Sequence, residues 1–444
     1  SFGQLPSGVQ VAPERNGEFF GTAVAAGDFN GDGFADLAIC ASNASGGAVQ
    51  PGAVYLLLGR ADLGLDGPKP GFLPIANEIA ASRAAEIKGR APGERFGEVL
   101  LFADLDNDGL DDLVIGTPRA ANGGTVDVLY GAATLGFTRS GIDAVPLDHT
   151  RILTNVPNER LGRALAAGDL DGDSERELLV GAPQWPSETL ARGRVLGFRL
   201  VGLRGATINL GTATPYLEAR GAADGAGVGN SVVVDDIDGD NLMDVAIGAP
   251  FANAPGAPAA GAVHVLSNAN QHAGAIVTAA TVADTTIRGI EENELFGFAM
   301  ASGAYERFVR TNLVVGSPGA SSVSLADTPF AGAVTIFRSN TLPLGDIARN
   351  EPDVPITLVE NRKANFRLGA HVALGNFDGR FEVDLFASGN GLLPFSGNCG
   401  SNSLADWQSC HDAREGLRTI GLVARTVEQP ENPLSASGAW LDAP

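Results

Sequence analysis

Four short stretches of this 444-residue chain space their oxygen-bearing side chains in the same way. The fullest is Asp104-Leu105-Asp106-Asn107-Asp108-Gly109-Leu110-Asp111-Asp112, with carboxylates at positions 1, 3, 5 and 9 and Gly at position 6. Asp28, Asn30, Asp32 and Asp36 keep that spacing around Gly33. Asp169, Asp171, Asp173 and Glu177 keep it around Ser174, and Asp236, Asp238, Asp240 and Asp244 keep it around Asn241. Such spacing wraps a turn of chain around a hard cation. The backbone carbonyl of position 7 (Phe34, Leu110, Glu175 or Leu242) can add one more oxygen. Calcium accepts about six to eight oxygens in flexible geometry, whereas magnesium demands a strict octahedron and keeps its waters. Softer metals would want Cys or His, which these loops lack. We therefore expect about four calcium ions, with the third site distorted or weakened by the longer reach of Glu177.

One acidic loop could be turn chemistry alone. Four at one place in a repeat, holding 15 carboxylates, would repel themselves without cations. Four calcium ions would bring the formal charge from −22 to −14. Two further copies of the loop lack the set. Ala304, Glu306, Phe308 and Asn312 fill the four positions in one, and Asn376, Asp378, Arg380 and Asp384 in the other. Arg380 would oppose a cation there and could replace it by pairing with the carboxylates.

The loops are positioned by a repeat. An apolar residue followed by Gly opens each of six units, at Phe20-Gly21, Phe96-Gly97, Leu161-Gly162, Val228-Gly229, Phe296-Gly297 and Leu368-Gly369, at spacings of 76, 65, 67, 68 and 72 residues. The loop follows the first apolar strand of each unit. A second strand comes next, such as Leu113-Val114-Ile115-Gly116, then a third, such as Gly124-Thr125-Val126-Asp127-Val128-Leu129, then a shorter fourth, such as Ala85-Glu86-Ile87-Lys88-Gly89. These runs are short, often β-branched and bounded by Gly or Pro, so they read as strands. The pattern predicts an all-β chain folded as a β-propeller of four-stranded antiparallel blades, six favoured and seven possible. The repeats run over about 12–89, 90–154, 155–220, 221–289, 290–359 and 360–427 of a single 1–444 domain. The last repeat has no clear fourth strand, and an orphan strand at 8–11 is expected to complete that blade; 428–444 reads as a C-terminal tail.

Composition agrees. Apolar residues at 44% and charged residues at 18% support a large core, and 59 Gly with 25 Pro make turns frequent. A net charge of −22 disfavours nucleic acid and anionic membranes as partners. No apolar run reaches the length of a membrane span. Cys399 and Cys410 flank a short Gly/Ser/Asn-rich loop and are expected to form a disulfide worth about 2–3 kcal/mol. That pairing implies an oxidising compartment, with the protein secreted, periplasmic or at the cell surface. The start at Ser1 fits a removed leader or a trimmed chain. Cys40, in an apolar run, reads as a buried inert thiol, and His264 and His371 read as structural histidines.

The units resemble FG-GAP repeats, the blades of the integrin α-subunit propeller and of related bacterial surface proteins. The residues that carry the resemblance are Phe96-Gly97, the Asp104 to Asp112 loop, and Gly248-Ala249-Pro250 or Gly181-Ala182-Pro183. The resemblance implies calcium in the hairpins between first and second strands, and ligand binding on the opposite face. It departs from integrins in number, seven repeats there against six here. On the ligand face, Trp185 follows a second strand, and Trp407 lies in a long insertion with Phe395 and His411-Asp412. Each Trp is either an anchor for a glycan or protein partner or packing beneath its own loop. Three functions compete. The first is a calcium-stabilised binding or adhesion module, and the second a structural subunit of an extracellular assembly. The third, a hydrolase-associated propeller, has no nucleophile or acid–base motif to support it.

Overall fold

The computed structural model describes residues 10–14, 19–42, 51–61, 72–303, 311–321, 330–338, 342–351, 354, 356–360, 367–375, 384–389, 420–424 and 439–440. The fold is all-β. It divides into two compact units, one of residues 1–187 with 196–216 and the other of 188–195 with 217–444, so the boundary runs through the third repeat.

The second repeat shows how one propeller-type blade is built. Strands Val99–Ala103, Asp112–Thr117, Thr125–Leu129 and His149–Leu153 form an antiparallel meander, with Leu101 opposite Val114, Ile115 opposite Asp127 and Val128 opposite Thr150. Side chains alternate across the sheet. Val114, Val126 and Val128 pack with Leu161, Leu178 and Val180 of the following repeat. Leu113, Ile115 and Leu129 pack with Phe29, Val54 and Phe96 on the other side. Both faces are therefore covered, which is why the middle strands read as continuous apolar runs. The fourth and fifth repeats repeat this packing in the second unit, where Ala246, Val263 and Val265 meet Phe296, Leu313 and Val315.

The predicted first, second, third and fourth strands occur where expected, but the connection from third to fourth strand holds an element the pattern did not announce. It runs as a short strand parallel to the fourth strand of the preceding repeat. Arg139–Gly141 pairs with Ala84–Lys88, Thr207–Asn209 with His149–Leu153, Ile276–Thr278 with Leu217–Arg220, and Gly345–Ala348 with Thr285–Arg288. This added strand satisfies backbone groups that an outer edge would otherwise leave open.

Two terminal strands follow the same pairing rule. The orphan strand lies at Gln10–Ala12 and pairs in parallel with Phe72–Pro74, the connection of the first repeat. It thus takes the part of a fourth strand toward that connection; no pairing with the last repeat is described. Val11 packs with Leu73, Tyr55 and Phe20, which holds it in place. The expected tail contains a strand, Ala439–Trp440, which pairs in parallel with Val359 and Glu360 of the fifth repeat. The last repeat shows three strands, His371–Gly375, Asp384–Gly389 and Ile420–Ala424.

The Gly that opens each third strand explains part of the repeat signature. Gly124, Gly193, Gly261 and Gly332 each form a bridge to the residue before the signature Gly of the next repeat, namely Leu161, Val228, Phe296 and Leu368. Backbone meets backbone there, with no room for a side chain.

Candidate metal centres

Each acidic loop is the turn between the first and second strands of its repeat, and all four complete loops share one backbone design. The position-1 carboxylate accepts amides from inside the turn. Asp104 Oδ1 accepts from Asn107 N at 2.8 Å and Asp108 N at 3.2 Å, and Oδ2 from Gly109 N at 3.0 Å. Asp28, Asp169 and Asp236 repeat the arrangement. Position 5 accepts from the amide of position 7, as Asp108 Oδ1 does from Leu110 at 2.9 Å. Two residues per loop are left-handed. At position 6 these are Gly33, Gly109, Ser174 and Asn241, with φ of 84°, 86°, 72° and 67°. At position 4 they are Gly31, Asn107, Gly172 and Gly239, with φ of 72°, 63°, 78° and 82°. Gly and Asn are the residues that enter this region at least cost. Gly or Asn recurs at position 4 in the sequence as it does at position 6 in three of the four loops.

Position 9 is buried and has a second task. Asp112 Oδ2 accepts from Leu105 N and Oδ1 from Gly131 N, both at 2.9 Å, so the residue ties the loop to the end of the third strand. Asp36 does the same with Phe29 and Gly59, and Asp244 with Ile237 and Asn268. Glu177 keeps the first bond, to Leu170 N at 2.9 Å, but turns its other oxygen to Arg199, whose Nε lies 2.9 Å away as an ion pair.

Carboxylate oxygens converge in three loops: Asp104, Asp106 and Asp108; Asp169, Asp171 and Glu177; Asp236, Asp238 and Asp244, each set within 4.8 Å of one another. In the first loop Asn30 replaces a carboxylate and its Nδ2 donates to Asp32 Oδ2 at 3.0 Å. The donor set fits a hard cation: it is all oxygen, and Asp106 Oδ1 is buried without a hydrogen-bond partner. Phe34, Leu110, Glu175 and Leu242 stand at position 7, where Phe34 and Leu242 expose 44% and 45% of their surface.

Burial pushes the position-9 carboxyls up, Asp36 and Asp244 to about 6 and Asp112 and Glu177 to about 7; neighbouring loop carboxylates add to the rise and backbone donors oppose it. Folded values above unfolded ones mean that the native chain holds the extra protons. The stability this confers is complete below about pH 4 and lost as pH climbs through about 6–7. In the presence of a chelator, the thermal midpoint should therefore fall between pH 5 and pH 7.5, and saturating calcium should flatten the slope. Scanning calorimetry at four pH values tests this; a chelated protein with a level midpoint contradicts it.

The sequence reading missed two residues at these loops, Arg199 and Arg204. Arg199 directly follows a third strand, where the other complete repeats carry Leu58, Tyr130 and Ser267. A charge at that otherwise uncharged place was the available signal. The degenerate fifth loop shows only Asn312, which is buried at position 9; Ala304, Glu306, Phe308, Asn376, Asp378 and Arg380 lie outside the described residues.

Of the other candidates, Trp185 is half-buried beside the buried Gln184, which accepts a bond from Arg160 Nε at 3.1 Å. Trp407, Cys399, Cys410 and His411 lie outside the described residues. Cys40 is buried with its Sγ 3.4 Å from the Phe96 carbonyl. His264 is buried with Nδ1 3.0 Å from the Thr286 hydroxyl, and burial pushes its pKa down to about 4. Both are structural, as their apolar strands predict.

Blades and loops together define the class, an all-β repeat protein with an acidic hairpin in four of its units. The FG-GAP repeat family model matches residues 20–57, 96–129, 161–196 and 228–266. The rat phosphatidylinositol-glycan-specific phospholipase D is 33% identical over 184 residues, covering 40% of this chain and 20% of that protein. Integrin alpha-PS5 of Drosophila melanogaster is 30% identical over 177 residues, covering 38% of this chain and 15% of that one. The chain thus spans about a fifth or less of the length of these relatives. Among solved structures, the Dos1 propeller aligns with a TM-score of 0.42 at 12% identity, covering 83% of this chain and 67% of that one. No helix among the described residues is long and apolar enough to cross a membrane.

Proposed function

We propose that the protein is a calcium-stabilised propeller of six repeats that acts as a binding or adhesion module for a protein or glycan partner. The observation that carries the reading is the shared loop: four hairpins at one place in the repeat with the same amide cradle, three of them with converging carboxylate oxygens. The loops joining second and third strands, at the opposite strand ends, are the proposed contact surface, with Trp185 and Trp407 as candidate anchors. Loops over a rigid scaffold are where recognition residues concentrate. Calcium sites of modest affinity suit a calcium-rich compartment, so the proposed location is secreted, periplasmic or cell-surface. The similarity to phospholipases covers 20% of their length, so their catalysis is not carried over.

Metal analysis of the purified chain should find about four calcium ions, and a chelator should lower the thermal midpoint by about 10 °C or more, since ligands that bind only the native state stabilise it. A metal-free protein whose midpoint ignores both calcium and chelator would leave the loops as turn chemistry.

A further inference from the structure

Two guanidinium groups already sit among the loop carboxylates. Arg204, from the connection after the third strand of the third repeat, reaches the loop of the second repeat. Its Nη2 is 2.5 Å from Asp108 Oδ2 and its Nε meets Asp106 Oδ2. Arg199 serves the loop of its own repeat: Nε is 2.9 Å from Glu177 Oε1, Nη1 is 3.5 Å from Asp173 Oδ2, and Nη2 meets Asp171 Oδ2. Each lies over an aromatic ring, Arg204 at 4.8 Å from the centre of Tyr130 and Arg199 at 4.6 Å from that of Tyr216. Stacking and a forked ion pair together fix the cation in place. Among the described residues, no Arg or Lys pairs with the loop carboxylates of the first and fourth repeats.

We infer that Arg199 and Arg204 are tethered competitors of calcium, which divide the four loops into two affinity classes. The inference rests on the calcium reading above. In the first and fourth loops, no described side-chain cation meets the carboxylate charge, which leaves it to a cation from solution. In the second and third, calcium must displace a guanidinium or accept a positive neighbour, and both lower affinity. Displacement is feasible because Arg204 and Arg199 keep 37% and 40% of their side-chain surface in solvent. The tether also gives the guanidinium a high effective concentration at the loop. When calcium is scarce, the second and third loops keep a counterion while the first and fourth lose theirs. Arg199 and Arg204 thus set affinity without being ligands.

Calorimetric titration of the whole chain with calcium tests this, in the wild type and in R199Q, R204Q and the double variant. Glutamine keeps two methylenes of the stem and a polar end, and removes the charge. The wild type should show two tight sites and two weaker by at least about tenfold. Each single variant should tighten one weak site by about that factor, and the double variant should tighten both. The reciprocal variant S267R places arginine at the equivalent position of the fourth repeat and should weaken one tight site by a similar factor. Four equivalent sites in the wild type, or Gln variants that bind like it, overturn the inference and leave the calcium reading standing. No bound calcium in any form overturns both.

Discussion

Gly261→Ala is expected to destabilise the protein by about 3–5 kcal/mol, enough to lower soluble yield at 37 °C. Gly261 has φ of 86°, and a Cβ there would lie 2.2 Å from Phe296 O and 2.4 Å from Phe296 N. These are backbone atoms and cannot rotate away. Gly261 N donates to Ala252 O at 2.9 Å, Gly289 N donates to Gly261 O at 2.9 Å, and Phe296 N donates to Ala260 O at 3.0 Å. Relief of the clash would have to break one of these bonds, and each repair exposes a buried group. Gly256 is the control. Its φ of 76° is similar but nothing lies within 4 Å of its Cβ, so Gly256→Ala should cost only about 1 kcal/mol. Thermal and denaturant unfolding of the two variants separate close approach from backbone strain. Equal losses would mean that the tight junction between repeats is unimportant.

Asp112→Ala should cost about 3–5 kcal/mol, with most of the loss surviving calcium removal. The substitution leaves the amides of Leu105 and Gly131 without acceptors, and Leu105 is fully buried. Each stranded donor costs about 1–3 kcal/mol. Asp112→Asn should recover little, because its amide group would face a backbone N–H with a donor of its own. Asp104→Ala makes the contrast: its three bonds lie on exposed turn amides, which water can serve. That variant should lose calcium affinity more than metal-free stability. Unfolding midpoints with calcium and with chelator decide the matter. An Asp112→Ala deficit that vanishes in chelator would show that the carboxylate acts through the cation alone.

These variants mark how far the sequence could be read. The strand runs were legible because a middle strand covered on both faces must be largely apolar, as Leu113, Val114 and Ile115 are in one and Val126, Val128 and Leu129 in the other. The terminal strand at Gln10–Ala12 was legible as an element but not as a pairing, since three residues carry no address for a partner sixty residues away. The ties from position 9 to Gly59, Gly131 and Asn268 were hidden for the same reason. An amide donor has no signature of its own.

By itself the sequence determined the repeat, the strand order within each unit and the acidic turns. All three rest on contacts between residues close in the chain, where spacing alone dictates which groups meet. Asp104 finds the amides of residues 107–109 whatever the rest of the protein does. Tertiary structure alone decided what lies beside those turns. It set Arg204 against Asp106 and Asp108, some hundred residues earlier, and laid each connecting strand along the preceding blade. Such meetings depend on how whole sheets stack, and stacking is specified by many weak apolar contacts at once rather than by any local pattern.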